Sequence, residues 1–456
     1  MAINKIKMSA IAAMVTIGGI ATAGQLVVHD DAGVVAQELV TNNEINNTTI
    51  KTHAEYIPTL NAGVIDGKLV IEIPGGRFNA ANANNVYVYN ADTNRTVAGN
   101  AQLAGVNKQK LILDINDTIN DHDHLYLEDQ TVTGGTIDEN GSLVVDFPAN
   151  MTSVKMIMSL VDNNDNTKDI SNYADFVDVV QEWTYTIDQK FSGMIDASTG
   201  FKWFYNSWKD DAIIKIEKNA NVVRSAGMPT IGQIVYADNN VSGAGLMRAI
   251  KPNGTALVPT ISVAGGQYLM EVNATLGKGL FDWRYVPTGN DEIKKSTFQT
   301  DFKVMKYANN ANIGVHEIFK KADFGKWDIY GYNAQIPGVM AVKGSFETNL
   351  KFTNRSSLDC NIYFTLIDQA GTSVKVDSVN DGIAMINANE TKQYKASDLI
   401  KIAEGKNANF MGDKSISVEV VIPTNPSAVY GFASFKNLKL GQFKDLPIYN
   451  NSKNSY

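Results

Sequence analysis

Apolar residues return at every second position through most of the chain, the repeat of a strand with one face on a core and the other in water. The pattern is clearest at 68–73 (Lys-Leu-Val-Ile-Glu-Ile), 86–89, 110–115, 124–127, 142–147 and 154–158. Gly, Asn and Asp punctuate the intervals, so these six segments predict an antiparallel sandwich. A second group at 213–216, 245–250, 267–272 and 298–307 continues the pattern, as does a third at 346–353, 362–368, 373–376, 392–394, 415–422 and 429–435. The expected fold is mainly β: tandem antiparallel β-sandwich domains with a few short helices. One helix is expected behind Ser171, where Tyr173, Phe176, Val177 and Val180 recur at helical spacing. Another is expected at 397–404, with Ser397 as N-cap and Gly405 as its stop.

The first residues depart from this pattern. Lys5 and Lys7 precede an apolar run from 8 to 20, and Ala21-Thr22-Ala23 then offers small residues to a signal peptidase. We therefore expect an exported, cell-surface protein whose mature chain begins at Gly24. The run is too short to span a bilayer and no comparable one follows, so no transmembrane anchor is expected. At 456 residues the chain has room for two or three domains. The expected layout is a signal peptide (1–23), an N-terminal segment (24–52), a first β-sandwich (53–170), a β-rich domain with a leading helix (171–342), a third sandwich (343–440) and a tail (441–456). The apolar strand of segment 24–52 is expected to pack on its own domain, or on a neighbouring subunit by strand addition.

Composition narrows the function. A formal net charge of −8 and a pI near 5.3 supply no basic stripe for a phosphate backbone, so nucleic acid is not an expected partner. Charged residues make up only 19% of the chain. Asn, Thr, Gly and Ser replace them, which gives an uncharged polar surface prone to association. The single cysteine, Cys360, excludes an intramolecular disulfide. It alternates in phase with Ile362, Phe364 and Leu366, which predicts a buried position. Stability must come from cores, ions or assembly.

Two oxygen-rich stretches are candidate metal loops. Asp114, Asn116, Asp117 and Asp121 form one and suit calcium; His122 and His124 beside them would share a face and suit a transition metal. Asp162, Asn164 and Asn166 form the other at alternating positions. Neither matches a defined calcium loop. The middle region carries Trp203, Trp208 and Trp283, whose rings could stack on sugars or fill a core. There is no Gly-x-Ser-x-Gly elbow, His-Glu-x-x-His or phosphate-binding glycine loop, so no catalytic residue is assigned. Asn-x-Ser/Thr sequons such as those at Asn94 and Asn389 are expected by chance in so Asn-rich a chain.

The signal peptide, the acidic, cysteine-poor composition, the Asn/Thr richness and the tandem β-domains together resemble bacterial surface-layer (S-layer) proteins. The stretches 346–354 (Phe-Glu-Thr-Asn-Leu-Lys-Phe-Thr-Asn) and 368–371 (Asp-Gln-Ala-Gly) look like the immunoglobulin-like modules common among them. That resemblance implies a noncatalytic structural protein that self-associates through its β-domains, possible calcium bridging, and contact with cell-envelope polysaccharide. The alternatives are a secreted glycan-binding adhesin and a carbohydrate-active enzyme.

Overall fold

The computed structural model describes residues 23–28, 34–41, 45–52, 54–79, 86–105, 108–129, 141–222, 224–309, 314–342 and 345–451. Apart from Ala23, the expected signal peptide lies outside them. Six sheets account for most of these residues. Alternation builds each of them: along Gly67–Glu72 and Lys110–Ile115, Leu69, Ile71, Leu111 and Leu113 point inward while their neighbours stay half exposed.

The N-terminal region is an eleven-stranded sheet that starts at Gln25–Val28 and Ala54–Ile57 and ends at Ser153–Asp162, Ala174–Val180 and Val34–Ala36. A three-stranded sheet of Ile45–Thr52, Gly141–Phe147 and Arg77–Phe78 accompanies it and buries Leu143, Val145 and Phe147. The described strands before residue 52 all pair within these two sheets. Its short helix Gln37–Val40 buries Leu39 and Val40.

Two sheets form the middle region. One orders Trp183–Gln189, Asp210–Lys218, Gly279–Pro287, Gly245–Ile250 and Ala256–Leu257; the other orders Met194–Asp196, His316–Tyr330, Ser296–Tyr307, Pro229–Ala237, Gln267–Thr275 and Thr260–Ala264. Aromatic rings fill the space between them. Tyr285 lies 4.5 Å from Trp327, and Tyr185 5.4 Å from Phe302, centroid to centroid. A polar thread crosses this core: Trp283 Nε1 donates to Gln233 Oε1 at 2.8 Å, and Gln233 Nε2 donates to Thr300 Oγ1 at 2.9 Å.

The last region is a second two-sheet sandwich. Ser373–Asp377, Tyr363–Ile367, Ile416–Ile422, Tyr332–Val339 and Tyr449–Asn450 face Ala341–Val342, Phe346–Asn354, Val429–Asn437 and Gln442–Leu446, with Thr391–Lys395 beside Phe346–Asn354. Tyr332, Phe352, Phe364 and Tyr394 meet between the layers. Cys360 is buried here, as its phase requires.

The N-terminal and middle cores form one continuous cluster from Leu26 to Trp327, whereas the last sandwich has its own. At the first junction the Glu38 carboxylate accepts the backbone N–H groups of Glu182 and Trp183 at 2.9–3.0 Å. Burial is the main reason its pKa is raised. The fully buried Glu182 carboxylate reaches onward to the Ala226 N–H at 2.6 Å, to the Ser225 hydroxyl, and to Lys218 at 3.1 Å.

Two expected helices change. The one behind Ser171 is the strand Ala174–Val180. Val154 pairs with Val177 and Lys155 with Asp175, leaving Phe176 as the extra residue of a bulge. Phe176 and Val177 are both buried as a result, which breaks the period of two and imitates helical spacing. The helix expected at 397–404 is present but runs Ala396–Lys406, with Gly405 inside it and Lys395 at the N-cap. Ser397 does not cap it; its N–H instead donates to Glu347 Oε1 at 3.1 Å on a neighbouring strand.

Replacing Gln233 by Ala removes a fully buried side chain, strands the Trp283 indole N–H and leaves a cavity. The expected loss is about 2–4 kcal/mol in urea unfolding. A loss below about 0.5 kcal/mol would show that the cross-sheet thread does not hold the two layers.

Candidate assembly surfaces

The carboxylates of the oxygen-rich loops are engaged by backbone donors and neighbouring side chains. Asp117 accepts the Thr118 N–H at 2.7 Å and lies 3.3 Å from Arg95 Nη1; these contacts, in that order, lower its pKa. Asp121 accepts the Leu60 N–H at 2.7 Å, and the buried Asp123 accepts from Asn90 Nδ2 and the Asn120 N–H. Asp114 and Asn116 sit at the end of the preceding strand, Asp114 paired with Lys68 and Gly99 in the sheet. His122 adopts a left-handed φ of 62°, which takes it out of phase with His124. In the other loop Asp162 accepts the N–H groups of Asn164 and Asn166 at 2.9 Å and pairs with Lys168 Nζ at 2.8 Å, while Asn166 Nδ2 turns back onto the same carboxylate. Among the described residues no three His, Cys, Asp or Glu side chains converge.

The tryptophans divide. Trp203 and Trp208 are 40% and 59% exposed, with Lys209 Nζ 5.5 Å from the Trp208 ring, whereas Trp283 is wholly buried in the sandwich core and offers no face to a sugar. The segment that carries the exposed pair also joins the middle and last regions. Phe201 meets Tyr363 edge-on at 5.3 Å under Lys375, and Lys375 pairs with Glu292.

The most unusual surface lies at a sheet edge. Thr260–Ala264 is exposed at every position and pairs, among the described residues, only with Gln267–Thr275. Gly265 and Gly266, at φ of 58° and 78°, make the two-residue turn between them. Ala264 faces Gln267 next to that turn, so Ile261 and Val263 direct their N–H and C=O groups away from the sheet. The side chains of Val258, Ile261 and Val263 are 70%, 43% and 63% exposed. Each other edge strand of five or more described residues carries charge, such as Asp188, Lys375 or Lys444, the usual guard against edge pairing. A second apolar surface lies on the hairpin Val429–Asn437 with Gln442–Leu446, where Tyr430, Phe432, Leu440 and Phe443 are exposed.

A family model described as S-layer protein Slr4 matches residues 67–442, all three regions of the fold. The chain belongs to the Slr4 family of S-layer proteins. No curated protein matches it by sequence. Among solved structures it is similar to the C-terminal domain of the antigen I/II-family protein AspA of Streptococcus pyogenes, at 8% identity and TM-score 0.22, covering 67% of this chain and 99% of that one. It is also similar to the full-length major pilin SpaD of Corynebacterium diphtheriae, at 10% identity and TM-score 0.26, covering 84% and 86%. Scores this low carry no argument about function or layout.

Membership of the S-layer family makes this a cell-surface protein in kind, and no helix among the described residues is long and apolar enough to cross a membrane. For this Slr4-family chain the edge at Thr260–Ala264 is the feature that sequence reasoning missed. Its signal was present in the run Thr-Ile-Ser-Val-Ala-Gly-Gly, β-branched and uncharged before a two-glycine turn.

His124 gives this S-layer protein a pH-sensitive contact. Its Nδ1 lies 2.6 Å from Glu55 Oε1, which also accepts the Tyr126 hydroxyl at 2.7 Å, and the Glu55 contact is the main cause of a pKa raised above 6.5. A raised histidine pKa stabilises the fold fully below the unfolded value and ceases to do so as pH rises through the folded one. His124→Gln is therefore expected to lower Tm more at pH 6 than at pH 9. An equal drop at both pH values would count against the ion pair.

Proposed function

We propose that this chain is exported, loses residues 1–23, and forms a noncatalytic array at the cell surface in which Thr260–Ala264 pairs with the same strand of a second copy. The observation that carries the reading is that edge: long enough to add a strand, uncharged, and exposed at every position in a member of an S-layer family. Antiparallel pairing about a two-fold axis through Ser262 would place Ile261 opposite Val263 of the partner copy. Those are the two residues whose backbone groups face outward, so the register closes with its hydrogen bonds made. Because the strand carries no charge, two acidic molecules, each of net charge −10 once Lys5 and Lys7 are removed from a full sequence of −8, meet where repulsion is least.

A two-fold contact alone closes a dimer. Propagation needs a second contact, which we assign to the exposed aromatic hairpin at Tyr430, Phe432 and Phe443.

Negative-stain electron microscopy of the chain from Gly24 is expected to show sheets, and Ile261→Lys with Val263→Lys to leave only folded particles without them. Leu280→Lys, on a central strand, should keep the sheets. Sheets that survive the double lysine variant would refute pairing at this edge. A parallel series with chelator separates the strand contact from the oxygen-rich loops: dissolution on chelation would move the contact to Asp117, Asp121 and Asp162.

A further inference from the structure

The strand Gln25–Val28 is held on both sides. It pairs antiparallel with Ala54–Ile57, and its outer edge is taken by the turn ahead of Ala174–Val180. There the Leu26 N–H donates to Asn172 Oδ1 at 2.7 Å, Asn172 Nδ2 donates to the Leu26 carbonyl at 3.3 Å, and the Asn172 N–H donates to the Gly24 carbonyl at 3.2 Å. At the head of the strand the Gly24 N–H donates to Asp169 Oδ1 at 3.1 Å.

Asp169 is 4% exposed. Its other oxygen accepts the Tyr56 hydroxyl at 2.5 Å and the Thr59 N–H at 3.3 Å. Burial, and then the Asp169 contact itself, push the Tyr56 hydroxyl far up, so it stays a neutral donor. Among the described residues no Lys, Arg or His pairs with this carboxylate. Burying a carboxylate is costly unless donors or a cation meet its oxygens, and here neutral donors alone do so.

The position beside it admits only glycine: a Cβ added at Gly24 would lie 2.1 Å from Asp169 Oδ2 and 2.9 Å from Tyr56 Cε2. Ala23, one residue earlier, is exposed, whereas Gly24 is buried.

We infer that the amino group created at Gly24 by processing is the missing counter-ion: in the mature chain its ammonium pairs with Asp169 and locks Gln25–Val28 into the N-terminal sheet. This rests on the reading that export removes residues 1–23. The export peptidase adds water across the Ala23–Gly24 amide. Oxygen goes to the Ala23 carbonyl carbon, the C–N bond breaks, and the Gly24 nitrogen keeps its electron pair and ends as –NH₃⁺, charged at neutral pH since an α-amino group titrates near about 8. The same nitrogen that donates as an amide before cleavage then donates as a cation, without displacement of the strand. Processing thereby tightens the first strand of the protein.

The test compares three chains by urea unfolding: one starting at Gly24, one starting at Ala23, and the Gly24 chain with its α-amine acetylated. The Gly24 chain is expected to unfold with an equilibrium constant roughly tenfold smaller than the other two, the difference between a charged and a neutral hydrogen-bond donor. In Asp169→Asn that gap should vanish. Equal unfolding of the three chains, or a gap that persists in Asp169→Asn, would overturn the pairing. If Asp169→Asn does not fold, the acetylated chain decides alone, because it keeps every side chain and replaces the charged amine by an amide like the one Ala23 makes before processing. N-terminal sequencing of the exported protein tests the underlying reading separately: a start other than Gly24 overturns export processing at this bond and the inference with it, whereas a Gly24 start with equal stabilities overturns the ion pair alone.

Discussion

Buried carboxylates that accept backbone N–H groups decide how the first two regions of this protein meet. Glu38 reaches from the short helix Gln37–Val40 to the first residues of the middle region, and Glu182 reaches from there to the Ser225–Ala226 turn. Each satisfies donors that would otherwise be stranded where one sandwich ends and the next begins, a place where sheet hydrogen bonds run out. Because those junction groups are satisfied, the apolar cluster passes from Leu26 to Trp327 without a break. Among the described residues the last sandwich shows no such seam. It meets the middle region through the surface contacts of Phe201, Tyr363, Lys375 and Glu292, a weaker joint exposed to solvent.

Asn richness has a structural cause in this chain. Asn94, Asn100, Asn150, Asn206 and Asn389 take the left-handed conformation, which Asn tolerates better than most residues with a side chain. Asn90, Asn253, Asn407, Asn425 and Asn437 accept a backbone N–H two residues ahead and set turns. A protein with thirty-five strands among its described residues needs many turns. Filling them with Asn rather than charged residues leaves the surface polar and weakly repulsive.

Strands with clean alternation were legible because one face is buried and the other wet, as at Leu69, Ile71, Leu111 and Leu113. The reading failed where tertiary contacts override local pattern. The bulge at Phe176 placed two adjacent side chains inside, and Glu347, far away in sequence, did the work expected of Ser397. Trp283 could have been placed: Phe281, Trp283 and Tyr285 share a phase opposite to Asp282 and Arg284, which marks an inward aromatic face. The candidate metal loops were readable as oxygen-rich but not as turns, since what engages each carboxylate lies in the backbone nearby or in a cation such as Arg95 or Lys168. The edge position of Thr260–Ala264 depends on the order of strands in a sheet, which periodicity does not encode.

That edge is informative because of how the rest of the surface is managed. A sheet that ends in open backbone groups invites pairing, and proteins that must stay apart blunt such ends with charge, proline or a covering element. Here Asp188 guards the edge Trp183–Gln189, Lys375 and Asp377 guard Ser373–Asp377, and Lys444 and Asp445 guard Gln442–Leu446. Val34–Ala36 is covered by backbone bonds to Arg224, and Gln25–Val28 by Asn172. Thr260–Ala264 receives none of these devices, although one lysine would have sufficed. An unguarded edge is a hazard to a secreted monomer and an asset to a subunit of a layer, so its retention in an S-layer family member is what an assembly contact would require.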